Sequence, residues 1–180
     1  MRMIGALFAL ALLGGHAGAQ EATSAYTDLD LGQCSVDQTD DFGTVWACPG
    51  YRGIPVMVAE SDLRFLVSYG LESTTEKAAE QSLPPFNTVG EKIEWRLAPA
   101  GGGLKPFATI LRFRLEAEGE ASGEVLVVTR LGKGATCQVA YIDARANPDA
   151  NEKAREAADT LARTFDCDDA PRPFGPFKAW

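Results

Sequence analysis

The chain has 180 residues, with 17 Lys and Arg against 25 Asp and Glu, a net charge of −8, four cysteines and a single histidine. A domain of this size buries a full core without help, and an acidic balance argues against nucleic-acid binding and against adhesion to anionic lipid. With His16 alone, and that in a segment expected to be removed, Ser-His-Asp and Cys-His catalysis lack their base.

Residues 1–19 have the three parts of a secretory signal: Arg2 at the start, an apolar run over 4–13, and Ala17-Gly18-Ala19 as a small-residue cleavage site. The run is too short to span a bilayer, which takes about 20 residues, and no later stretch is apolar enough. No cysteine lies beside the cleavage site, so no lipid anchor is expected. Cleavage before Gln20 leaves 161 of the 180 residues, takes the net charge from −8 to −9 with the loss of Arg2, and predicts a periplasmic or secreted protein. In that oxidising compartment Cys34, Cys48, Cys137 and Cys167 read as two disulfides. Three connectivities are open; Cys34–Cys48 with Cys137–Cys167 is favoured because each pair brackets a local unit. There is no Cys-x-x-Cys, and the spacings do not suit zinc.

Residues 20–33 are polar and read as loosely held, ahead of a single domain over 34–169. A strand is expected over 44–48, closed by Pro49-Gly50 at the centre of a type II turn. Strands follow over 56–59 and 63–69; in the second, Leu63, Phe65, Val67 and Tyr69 alternate with polar residues, while Leu66 suggests cover on both faces. Ser73 and Glu76 form a capping box that opens a short connecting helix, ended by Pro84-Pro85. Four strands over 92–97, 107–116, 124–131 and 136–142 then form a meander, because their connections are short and glycine-rich. Asn147 as N-cap and Pro148 as first residue begin the one long helix, whose inner face carries Ala150, Ala154, Ala157, Ala158, Leu161 and Phe165. The expected fold is α+β: an antiparallel sheet of about six to seven strands, with the C-terminal helix on one face and a Pro- and aromatic-rich tail over 170–180.

Three groups of residues are candidates for binding. Lys92, Arg96, Arg112, Arg114 and Arg130 fall on the meander positions opposite the apolar ones, interleaved with Glu94, Glu116 and Glu124. If the strands are neighbours, Arg96, Arg112, Arg114 and Arg130 make a concave anion site, because guanidinium forks fit carboxylate and phosphate; the plainer reading is a solvated face of weak cross-strand pairs. Trp46, Tyr51 and Arg52 surround Cys48-Pro49-Gly50 and are residue types enriched in interface hot spots; the plainer reading places Trp46 in the core. Phe174, Phe177 and Trp180 recur every third residue among prolines, as in an extended partner-binding segment or a strap over the domain's own surface.

Catalytic signatures are missing. No serine has Lys three positions on, Ser122-Gly123 lacks the preceding glycine of a nucleophile elbow, and Gly132-Lys133-Gly134 is too short for a P-loop. No cofactor and no metal is implied. The run over 47–53 with the segment over 141–154 resembles small exported proteins of Gram-negative bacteria, and that resemblance implies an exported location and no activity. The expected function is a non-enzymatic, disulfide-stapled periplasmic module that binds an envelope or secreted protein, a basic hydrolase being one form of such a partner. The alternatives are a hydrolase using two carboxylates and a small anion-binding protein using the arginine face.

Overall fold

The computed structural model describes residues 22–117 and 120–180; the expected leader, His16 and the expected start at Gln20 lie outside the described residues. Among the described residues ten strands form two sheets. In the smaller sheet β2 (Ser35–Asp40), β3 (Gly43–Pro49), β4 (Pro55–Ser61) and β5 (Arg64–Tyr69) follow one another antiparallel. In the larger, β6 (Phe86–Ala100), β7 (Gly103–Ala117), β8 (Glu120–Arg130) and β9 (Cys137–Asp143) form the expected meander. Its two edges are β1 (Thr23–Asp28), antiparallel to β6, and β10 (Arg172–Pro173), parallel to β9.

This corrects the expectation of one sheet of six to seven strands: the fold is broadly α+β, but its strands form two facing sheets. Alternation explains why. Val56, Val58, Val67 and Tyr69 give the smaller sheet one apolar face, which packs on Ile93, Trp95, Phe113, Leu115, Val125 and Val127 of the larger. The other face of the larger sheet lies under α1 (Ala150–Leu161), where Ala154, Ala157 and Ala158 sit against Ile110, Leu126 and Val128. Alanines let the helix approach closely. A sheet covered on both faces needs apolar residues at both parities, hence the unbroken Val125-Leu126-Val127-Val128 of β8.

Several local expectations give way to longer-range contacts. Residues 20–33 are not loose throughout, because Thr23–Asp28 forms an edge strand in register with residues 92–97. No capping-box helix forms at Ser73; turns lead into a 3-10 helix, Lys77–Glu80. The Glu76 carboxylate instead accepts from the amides of Gly134 (2.7 Å) and Thr136 (2.8 Å), and the Ala78 amide donates to the Thr136 carbonyl. That connection joins the smaller sheet to β9. Gly50 is extended (φ −122°) rather than the αL residue of a type II turn; a Cβ there would come within 2.8 Å of the Trp95 ring. Asp149, not Asn147, occupies the N-cap of α1, and the Asn147 side chain donates to the carbonyls of Asp143 and Pro176.

Both disulfides join the favoured pairs, Cys34–Cys48 and Cys137–Cys167. The first ties the start of β2 to β3; the second ties β9 to the chain beyond α1.

Candidate functional site

The arginine face does not form one anion site. It is the face on which α1 sits, and the strand and helix repeats match there. Glu94 and Arg96 are two residues apart on β6, about 6.8 Å; Arg155 and Asp159 are four apart on α1, about 6 Å. Opposite charges therefore meet in register: Arg155 Nε donates to Glu94 at 2.7 Å, and Arg96 holds Asp159 through Nε (2.9 Å) and Nη2 (2.5 Å). Arg96 is 6 % exposed and Glu94 8 %, with Ser24 of β1 donating to Glu94 and accepting from Arg96. Glu94 holds the Arg155 guanidinium further above its ordinary range. Arg130 donates to the Phe165 carbonyl beyond α1.

Arg112 and Arg114 do come together, with Lys92, around a cavity of about 380 Å³ beside Asn151 and Arg155. Arg112 pairs with Glu124 (2.6 Å) and Lys92 with Asp28 (2.6 Å). Arg114 has no carboxylate partner among the described residues, and its Nη1 reaches the Val89 carbonyl at 3.4 Å. The expected anion site thus shrinks from four arginines to two, one of them already paired.

The other candidates divide. Trp46 stacks on Phe65 (6.3 Å between centroids) and packs against the inter-sheet core. Tyr51 tilts over Trp95 at 6.1 Å, while Arg52 lies at the surface. The tail is a strap: the Phe174 amide donates to the Tyr141 carbonyl (2.9 Å), the Lys178 amide to Asp143 (2.9 Å), and Trp180 meets both Tyr141 and Phe177 edge-on. The Phe177 ring is therefore committed within the fold, and Phe174 packs against the helix-side core.

Two features were not legible as sites. The first is the hairpin end of the smaller sheet. Between β2 and β3, Asp40 accepts from the amides of Phe42 (2.8 Å) and Gly43 (3.2 Å), which holds the Asp40 carboxyl below its ordinary range. Gly43 is required by close approach, because a Cβ would sit 2.0 Å from the Glu60 carbonyl. Phe42, at the tip, is 83 % exposed. Between β4 and β5, Asp62 (φ 51°) and Leu63 (φ 59°) form a two-residue type I′ turn, with Glu60 accepting from the Leu63 amide at 3.0 Å. Leu63, expected to point inward in the strand, is 62 % exposed. The two tips touch through the Ser61 hydroxyl, which donates to the Phe42 carbonyl (2.9 Å). Half-exposed Phe86 lies alongside under Arg64 (4.8 Å). The two hairpin ends carry Asp37, Asp40, Asp41, Glu60 and Asp62, against Arg64 alone as a basic residue. A bulky apolar residue inside a polar turn was the available signal at both tips.

The second is a cleft of about 480 Å³ at the opposite end of the same strands, where the two sheets part. Ile54, Pro55, Pro106 and Leu131 give it apolar walls, with Arg52, Glu72 and Lys133 about its mouth. Glu72 pairs with Lys133 at 3.1 Å, and Glu76 is committed to its two amides. Burial pushes the Tyr69 phenol, deep in this cleft, well above its ordinary range.

No known protein family, no curated protein and no solved structure matches the chain. The two disulfides fit a small secreted protein, and among the described residues no helix is long and apolar enough to cross a membrane.

Proposed function

We propose that this is a non-enzymatic periplasmic interaction module that docks a basic protein on the hairpin end of its smaller sheet. One observation carries the reading: a leucine in left-handed backbone, 62 % exposed, and a phenylalanine, 83 % exposed, occupy two neighbouring tips joined by the Ser61–Phe42 hydrogen bond. A bulky side chain at positive φ is unfavourable, and glycine suits that turn better. The leucine belongs to neither hydrophobic cluster, so its side chain contributes little inside the fold and is available to a partner. Exposed apolar side chains grouped on a rigid surface mark interaction sites, and the surrounding carboxylates favour and steer a positively charged partner. The Cys34–Cys48 bridge ties down the base of the first hairpin, which lowers the ordering required on binding.

The test uses three immobilised chains side by side: native, Phe42→Ser, and Leu63→Gly, which relieves the backbone while deleting the side chain. The expected result is one basic envelope protein retained in stoichiometric amount by the native chain and lost from both variants. Equal retention by all three, or none by the native chain, overturns the assignment.

A further inference from the structure

The inter-sheet cleft has no part in that docking, and it has features of a small-molecule site. Its volume of about 480 Å³ lies within the range of ligand pockets, which are mostly apolar with a few placed polar groups. At its mouth Leu71 is almost wholly exposed, an apolar side chain without cover.

Arg52 gives the cleft its chemistry. It sits at φ 49° and ψ 38° in the turn Tyr51–Gly53, the left-handed region, next to Gly53 at φ 82°. The turn is held by the Ile54 amide donating to the Tyr51 carbonyl (3.1 Å), by Tyr51 packing on Trp95, and by the Cys34–Cys48 bridge three positions before it. The guanidinium lies over its neighbour's ring, 5.2 Å from the Tyr51 centroid, and has no carboxylate partner among the described residues. A position suited to glycine thus carries an unpaired cation at the mouth of an apolar cleft. Residues held in such backbone persist only where the surroundings impose it, and they gather at ligand sites. Lys133 also lines the cleft, and among the described residues its carboxylate partner is exposed Glu72.

We propose that this cleft binds a small amphipathic anion, its apolar body between the walls of the two sheets and its carboxylate on Arg52. The proposal does not depend on the hairpin end, since the two lie at opposite ends of β3, β4 and β5.

Calorimetry tests it with decanoate, below its micelle concentration, and decyltrimethylammonium as the cation of like body. The native chain is expected to bind one decanoate and to ignore the cation. Arg52→Gly, which removes the charge and relieves the backbone, is expected to weaken decanoate about tenfold or more, as loss of a charged hydrogen bond does, with an unfolding midpoint no lower than native. Phe42→Ser is expected to bind decanoate as the native chain does. Absence of decanoate binding, equal binding by Arg52→Gly, equal binding of the cation, or loss of binding in Phe42→Ser would each overturn the assignment.

Discussion

Removing the Asp159 carboxylate examines the reassignment of the arginine face from ligand site to helix dock. In Asp159→Ala, Arg96 keeps its position beneath α1, 6 % exposed, but loses both bonds of its bidentate partner. Breaking one side of a buried pair costs about 3–5 kcal/mol. Three features reduce that here: the Asp159 side chain is about a third exposed, Glu94 remains 3.9 Å from Arg96 Nη1, and the Ala22 carbonyl still accepts from Nη2. The expected loss is therefore about 2–3 kcal/mol. For a domain of this size that is a fall in melting temperature of roughly 4–12 °C. Urea unfolding followed by far-UV circular dichroism gives the first number, and a thermal scan the second. The double variant Arg96→Met/Asp159→Leu is expected to be more stable than Asp159→Ala, because no charge is left buried alone. A loss below about 0.5 kcal/mol for Asp159→Ala, the range of an ordinary surface substitution, would refute the dock and return the face to solvent. So would a double variant less stable than the single.

Three further outcomes are expected. Ala157→Leu on the buried face of α1 overfills the helix–sheet contact and should cost about 1–3 kcal/mol, read as a lower urea midpoint; no change would mean that the helix does not sit closely. Leu63→Gly should raise stability by about 1 kcal/mol at its φ of 59°, and a lower midpoint would show that the side chain supports the fold. Burial raises the Tyr141 phenol to about 12 and Tyr69 further, so the folded state holds these protons more tightly than the unfolded chain, whose phenols titrate near about 10. That stability is fully present below pH about 10 and is lost as pH rises toward about 12. Ultraviolet titration should find the Tyr69 and Tyr141 phenols ionising well above the ordinary value of about 10; ionisation of both near pH about 10 in folded protein would contradict this.

Much of the fold was legible where one periodicity dominates. The meander over residues 92–142, the alanine face of the helix and the paired cysteines each follow from local pattern. What escaped depends on partners distant in sequence. β1 and β2 carry mostly polar residues, TSAYTD and SVDQTD, because each is an edge strand with little to bury. The capping box at Ser73 was a sound local signal, yet two backbone amides some 60 positions onward claimed Glu76. The arginines share one parity of the strands, but α1 covers that face, and nothing in strand periodicity shows that a second layer brings Arg155 and Asp159 to meet Glu94 and Arg96. At the candidate sites, Arg52 was legible by residue type, whereas its left-handed backbone and the cleft beneath it exist only once the two sheets face each other. Leu63 continues the parity of Phe65 and Val67 into the turn, so alternation alone does not show that it points outward.

The most direct measurement is an amide NMR spectrum of the ¹⁵N-labelled protein in envelope extract, with and without about 1 M salt, where screening shortens to about 3 Å. Docking of a basic protein on the hairpin end predicts broadening confined to residues 36–44 and 60–65, reversed by the salt. Broadening centred on the outer face of α1 or on the strap over 172–180, or a spectrum unchanged by the extract, would contradict it.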